Sequence, residues 1–320
     1  SADATLDTIA VVATRSAPVF NPGNTGVGTN LDQATINALP SIKRDLQDYA
    51  RLDPRISQTD KERGEISALG QNSRYNSITI DSVTSNDTFG LESNNLPTVR
   101  QPISLDAIEE VQINVVNYDV TQKGYTGANI NAVTKSGTNA FEGSVYGTYR
   151  ERDWLREKDD RGATFNGFDT EQTYGATFGG PISEDRLFFF LNYDKTRITS
   201  PGPDLSNGPI GDGDITMEDV EDVRQEAISR GMDPGDLGVS GSDTEVETML
   251  ARFDWNISDE HRAALRISQT EQAEAILPGF GSSSLSLSSH WYTQGKQFDN
   301  YVAELFSDWN DKFSTEARAS

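Results

Sequence analysis

The sequence has no cysteine and only two histidines, His261 and His290. That removes disulfides, cysteine-ligated zinc, iron–sulfur clusters, a thiol nucleophile and any histidine-rich metal site. Positive charge is scarce as well: 27 basic side chains stand against 50 acidic ones, for a formal net charge of −23. A nucleic-acid backbone is therefore excluded as the main partner, because phosphate binding needs a basic face. Docking on anionic headgroups through a polybasic patch is disfavoured for the same reason. Hydrophobic residues make up 35%, less than a soluble domain carries, and no apolar run of about 18 residues exists, so no transmembrane helix is expected. No leader pattern opens the sequence, as expected of a mature or trimmed chain.

Three classes survive: a polar soluble β protein, a partly disordered chain, or a transmembrane β-barrel, whose strands face lipid with only every second residue. Periodicity has to decide. In the first half, Asp7–Arg15 is a short β-branched run, followed by a tether with Pro18, Pro22, Gly23, Gly26 and Gly28. Helices are predicted at Asp32–Leu39, stopped by Pro40, and after Ser41, with Leu46, Tyr49 and Leu52 on one side and Pro54 at the end. Short strands are predicted at Ile66–Leu69 and at Ser77–Ile80, leading into an Asp81-Ser82 turn. A third short helix is capped by Ser104, and strands follow at Val111–Val116 and Ala128–Thr134. The Gly- and Asn-rich loops between these pieces suit binding loops, or a domain supported from outside.

From Phe141 onward, alternating segments of about ten residues recur. Met249, Ala251, Phe253, Trp255 and Ile257 alternate with Arg252, Asp254 and Asn256, and Ala263, Leu265 and Ile267 with Arg262, Arg266 and Ser268. Leu187–Leu191 is apolar on both faces, so one of them must be covered by other protein. Tight connections (Gly180–Asp185, Ser258–Glu260, Asn310–Lys312) alternate with long polar ones (153–167, 200–243, 275–294). That alternation is the pattern of an outer-membrane barrel, with Trp255 and Trp309 at girdle positions. A soluble antiparallel sandwich is the alternative, although it would place turns every 8–12 residues or so. Six full strands and a seventh, Phe313–Ser320, cannot close a barrel, because an open edge cannot face lipid. The expectation is a fragment of something longer.

Four stretches, in order, resemble the TonB-dependent outer-membrane receptors, in particular their Oar-like branch. DTIAVVATR (Asp7–Arg15) is similar to the TonB box, GQNSRYNSITIDSVTSNDTFGL (Gly70–Leu91) to a plug segment, and LDAIEEVQINVVNYDVTQKGYTGANINAVTKSGTN (Leu105–Asn139) to the plug's closing signature. GGPISEDRLFFFLNYD (Gly179–Asp194) is similar to the hairpin of the second and third barrel strands. Where the commoner family pattern has an Arg-Gly and a Gly-Pro pair, this chain has Gln71-Asn72 and Asn117-Tyr118, which favours the Oar-like branch over a siderophore analogy. The resemblance implies a transmembrane β-barrel of 22 strands, about 15 of them beyond this chain, around an N-terminal mixed α/β plug. The organisation expected is TonB box and tether at 1–20, plug at 21–138 and first barrel strands at 139–320, in the outer membrane of a Gram-negative cell.

The resemblance also implies partners and sites. Asp7, Thr8, Ile9, Ala10, Val11, Val12 and Ala13 would meet TonB by strand addition, for which β-branched residues suit the extended form. The bland reading makes Asp7–Val12 the first plug strand. Arg74, Tyr75, Asn86, Asp87 and Phe89 are candidates for contact with an unknown extracellular ligand, or for holding the plug to the wall. Outer-membrane lipid or lipopolysaccharide would surround the strands. In the loop at 200–243, Thr216 with Asp219 makes a capping-box-like start to a helix of about Met217–Arg230, with Val220, Val223, Ala227 and Ile228 on one face and Gly231 at its end. Asp212, Asp214 and Asp219 resemble the second half of a calcium loop, but Gly208 and Ile210 stand at its first ligand positions. Acidic solvated loop is the plainer reading, and no other cofactor is expected. His261 and His290 read as a turn and a loop residue. No nucleophile–base spacing appears, and Lys135–Asn139 (KSGTN) reads as a connector, so the chain is expected to be no enzyme. Active import, or gated passage, of a large or scarce ligand, possibly peptide or protein, is the leading expectation; an adhesion or assembly scaffold that keeps the fold is the alternative.

Overall fold

The computed structural model describes residues 27–39, 41, 43–61, 63–116, 124–156, 167–201, 215–237, 242–279 and 284–320. The Asp7–Ala13 segment, Asp212, Asp214, Pro40 and Asn117-Tyr118 lie outside the described residues. Among the described residues no helix is long and apolar enough to cross a membrane.

Two sheets dominate. The first has the order β1 (Val27–Asp32), β6 (Ile108–Val116), β7 (Asn129–Thr134), β4 (Ser77–Ile80), β5 (Val83–Thr84), with β4 and β7 parallel and the other pairs antiparallel. Alternation along β6 buries Val111, Ile113 and Val115 on one face. They join Ile130 and Ala132 of β7, Ile36 of α1 (Gln33–Ala38) and Leu46 and Tyr49 of α2 (Leu46–Ala50) in one apolar cluster. A two-stranded ribbon, β2 (Ile56–Asp60) with β3 (Glu65–Ala68), adds Ile56 and Ile66.

α1 starts where the sequence puts it: the Asp32 carboxylate accepts from the Thr35 N–H at 2.8 Å. The second helix is shorter than its stripe suggested. It begins only at Leu46 and lasts five residues; the Ser41 hydroxyl accepts from Arg44 N instead and donates to Asp48. Leu52 lies beyond it, exposed. The third expected helix is one 3-10 turn, Leu105–Ala107, capped by Ser104, and Ile108 already belongs to β6. β1 and β2 carry no helical or strand signal that the sequence reading used, and are found only in the structure.

The second sheet is a seven-stranded antiparallel meander in strict chain order: β8 (Glu142–Glu151), β9 (Thr170–Ser183), β10 (Leu187–Ser200), β11 (Ser242–Asn256), β12 (His261–Ile276), β13 (Tyr292–Asn310) and β14 (Phe313–Ala319). Its short turns (184–186, 257–260, 311–312) gather at one end and its long loops at the other. The outer face is apolar: Val145 is 88% exposed, and Phe178, Leu191, Met249, Trp255, Leu265, Tyr301 and Trp309 are exposed with it. The inner face is polar yet buried. Thr173 and Thr196 bond across β9 and β10 at 2.8 Å, and Thr248 approaches Thr270 across β11 and β12 at 3.3 Å. The doubly apolar run at Leu187 divides as expected, with Phe188 and Phe190 buried inward and Leu191 outward. Phe190 and Leu250 join the first sheet's apolar cluster.

Strands of 14 to 16 residues, as in β10 and β12, exceed the 9–11 or so that cross a bilayer. The surplus at the long-loop end carries the outward charges Lys195, Glu245 and Glu247, paired across β10 and β11. The Lys135–Asn139 connector passes against β9 and β10, so tightly that a Cβ on Gly137 would lie 2.3 Å from the Phe189 carbonyl oxygen. Asn139 then holds the β9–β10 turn, donating to Asp185 at 2.6 Å and accepting from its N–H at 2.9 Å.

Candidate functional site

Two groups of polar residues concentrate the chemistry: the seam where the first sheet's body meets the meander, and the loops facing the long-loop end.

At the seam, plug Arg100 donates to Glu171 of β9 at 2.8 Å and pairs with Asp45 at 3.1 Å. Arg150 of β8 donates to the other Glu171 oxygen at 2.9 Å, so one carboxylate holds two guanidinium groups. Burial pushes the Asp45 carboxyl above its usual range, against the opposing pull of Arg100. Beside this lies a cavity lined by Arg44, Arg100, Ser104, Thr173, Asp194 and Thr248. Ser104, on its lining, meets the Tyr146 hydroxyl of β8 at 2.6 Å. Nearer the short turns, Arg252 of β11 donates to Thr134 Oγ1 at 2.6 Å and to Thr134 O at 3.1 Å. Higher up, Gln272 of β12 accepts from Val99 N at 2.8 Å, and Lys296 of β13 pairs with Glu92. Each contact joins residues far apart in sequence, which is why local spacing could not reveal them. The available signal was the charge on the polar face of each strand.

Glu92 and Val99 contact β13 and β12 four residues from their long-loop ends, so the stretch 86–98 faces that end, and Arg74 is tied to it through Gly90. The ligand candidates divide there. Asn86 is committed internally, accepting from Ile78 N and donating to Asn76 O, both at 2.9 Å. Asp87 accepts from Phe89 N at 2.9 Å and Glu92 N at 2.7 Å. These two side chains brace the loop. Tyr75, 54% exposed, and Phe89, 85% exposed, stand free of it, beside the exposed Leu91. Arg74 spends one N–H on the Gly90 carbonyl at 3.0 Å and is otherwise exposed. The structure thus presents Arg74, Tyr75 and Phe89 and withdraws Asn86 and Asp87.

Among the long loops, α3 (Met217–Ser229) has both halves of its capping box. Asp219 Oδ2 accepts from Thr216 N at 2.8 Å and from Thr216 Oγ1 at 2.6 Å, which ties that oxygen into the cap. The stripe is less covered than expected: Val220 and Ala227 are half-buried, whereas Val223 and Ile228 are exposed. Among the described residues no group of three or more acidic or histidine side chains is placed to hold a metal. His261 opens β12 with its ring 4.9 Å from that of Trp309, and His290 ends a 3-10 turn.

Comparison with known proteins agrees with this architecture. Residues 133–214 match a family model described as an outer membrane beta barrel domain. The chain is 27% identical over 279 residues to the TonB-dependent transporter Oar of Myxococcus xanthus, covering 79% of this chain and 24% of that protein. It therefore spans about a quarter of the length of that curated relative. Among solved structures it is similar to the siderophore receptor PirA of Acinetobacter baumannii, with TM-score 0.61 and 17% identity over 92% of this chain and 39% of that one. The outer membrane transporter YddB of Escherichia coli superposes with TM-score 0.62 at 12% identity, over 88% of this chain and 37% of its own. A variant of the ferric enterobactin receptor PfeA of Pseudomonas aeruginosa gives 0.60 at 14%, over 92% and 40%. At such identities the structural likeness speaks for the fold.

Proposed function

We propose, on the premise that this chain belongs to the TonB-dependent outer-membrane receptors and lies in the outer membrane, that it admits a large or scarce ligand, peptide or protein, with energy delivered by TonB. The observation that carries the reading is the seam. A folded body is held inside a wall that is apolar outside and polar inside, by hydrogen bonds and ion pairs, with Phe190 and Leu250 as the wall's share of the body's apolar cluster. Such an interface can part and re-form, because the polar groups on both sides find water when it opens. Ligand contact falls to Arg74, Tyr75 and Phe89, which the plug presents toward the long loops.

Coupling falls to Asp7–Ala13, whose residues suit addition to an exposed sheet edge. The test is calorimetry of a peptide spanning residues 1–20 with the periplasmic domain of TonB. Binding is expected, and Val11→Pro should abolish it by removing a ladder N–H. No binding of the unmodified peptide would overturn TonB coupling. Deleting Asp7–Ala13 should abolish uptake and leave adhesion intact; cells that show adhesion but no uptake even with the segment present would favour the scaffold reading.

A further inference from the structure

The β4–β5 hairpin closes through Asp81 and Ser82, both with positive φ (48° and 65°), where glycine or asparagine is the usual choice. The turn is held from three sides. Asp81 Oδ1 accepts from Thr134 N and Oδ2 from Thr134 Oγ1, each at 2.8 Å, and Ser82 N donates to Asn131 Oδ1 at 2.8 Å. From the barrel wall, Nη1 of Arg266 lies 3.4 Å and Nη1 of Arg252 3.8 Å from Asp81 Oδ2. These two arginines are direct register partners on β11 and β12. Like charges in that relation repel. Arg252 has a wall carboxylate of its own, Asp254, at 2.9 Å. Arg266, with its side chain only 4% exposed, pairs with no carboxylate but Asp81 among the described ion pairs, and its Nε and Nη1 make no hydrogen bond. Its remaining contacts are the Ile80 carbonyl at 3.1 Å and Asn300 at 3.5 Å.

We propose that the Asp81 turn is a release pin: the plug supplies the one carboxylate that pairs with Arg266 among the described ion pairs and so offsets its repulsion from Arg252, and its withdrawal frees a strained turn while leaving Arg266 unpaired opposite Arg252. Seating is then bistable. With the plug in place the wall pair is neutralised and the turn is clamped; with it displaced the turn relaxes and the arginines draw water or anions. The proposal rests on the reading that the plug is displaced in function, but its test needs neither ligand nor TonB.

The measurement is deuterium exchange of Ile78–Thr84 and Asn129–Thr134, with proteolysis of the plug, in the full-length receptor in outer-membrane vesicles. Asp81→Asn keeps the size of the side chain and removes its charge. It should speed exchange by about tenfold or more, since an unpaired buried charge is costly. Arg266→Gln added to it should bring exchange back to within about threefold of the unmodified protein, because the repulsion is gone. A turn that merely caps Thr134 would show no such rescue, so undiminished loosening in the double variant overturns the pin, as does unchanged exchange in Asp81→Asn. If the pin behaves as expected while uptake proves independent of TonB, the energy-coupling part of the proposed function falls and the pin stands.

Discussion

The plug and the meander use the same kind of residue in opposite ways. Ile113, in the plug's β6, is fully buried in the apolar cluster it shares with residues of α1 and α2, whereas Val145, in the wall's β8, is almost wholly bare. Both are β-branched and both sit in regular strands, so propensity does not separate them. What separates them is the medium each face must meet. The plug sorts apolar residues inward, as a protein in water does. The wall turns them outward and lines its inner face with threonines, which bond across neighbouring strands, and with glutamine and arginine, which find partners on the plug. The wall's polar face therefore has the character of an interface, and the seam is where either region is most easily damaged.

The largest expected effect is at that seam. Glu171→Ala would leave Arg100 and Arg150 sharing a buried site without their common carboxylate. The expected loss is about 3–5 kcal/mol, the usual cost of breaking a buried ion pair by removing one partner, with Asp45 left as the remaining carboxylate on Arg100. It should appear in detergent melts as a plug that unfolds before the wall, and coincident melting of the two would refute this. Next comes the outer face. Ala251 lies between Leu191 and Ile267 in the wall's register, so Ala251→Arg places a cation in the apolar band. Reversible folding into lipid should weaken by about 2–4 kcal/mol if that row is near the midplane. A change within a few tenths would mean that the face does not meet lipid.

A smaller effect separates two plug aspartates by pH. Hydrogen bonds from Arg55, with support from Thr29 Oγ1, hold the Asp53 carboxyl down at about 2. Its stabilisation is present above the unfolded value of 3.8 and is lost as pH falls toward 2. Asp53→Asn should thus cost about 2 kcal/mol at neutral pH and progressively less below pH 3.8. Asp45 has the opposite sign: burial raises its folded value, so acidification favours the folded form as the group takes up its proton. Asp45→Asn should remove that gain. Melts of both variants across the acid range check the pair, and parallel curves would sink the distinction.

How much of this was legible in the sequence follows from the same contrast. The wall's strands were readable because lipid on one side enforces a strict period of two, and α3 because Thr216 and Asp219 announce its start. The Asp81-Ser82 turn is readable as the end of the Ser77–Ile80 strand, but not its role, since Arg252 and Arg266 lie over 170 residues from Asp81 in sequence. β1 was lost among glycines. Gly28 looked like tether, yet it lets the backbone run beside Asn114, where a Cβ would sit 2.4 Å from the amide oxygen. Among the ligand candidates the sequence supplied residue types without their commitments: Asn86 and Asp87 are as polar as a binding residue should be, and the loop itself uses them.

The smallest effect is confined to the long loops, where the contrast between plug and wall should vanish. The segment after α3 is locked to the loop between β12 and β13: Ser288 N donates to Asp236 O at 2.8 Å and Asp236 N to Ser288 Oγ at 2.9 Å. Arg224 of α3 completes the tie, donating to Gly235 O at 3.0 Å and pairing with Asp236 at 3.1 Å. Gly235 permits this with φ of +69°, and a Cβ there would fall 2.2 Å from Ser288 Oγ. Gly235→Ala should therefore cost about 1 kcal/mol locally, from the left-handed backbone alone, and push the Ser288 hydroxyl aside. Exchange at Asp236 and Ser288 should quicken together, because one contact holds both, while the melts of plug and wall stay where they were. If exchange quickened at only one of the two loops, they would not be a single unit. If the wall's melt moved instead, the loops would be part of its stability rather than a separate layer resting on its rim.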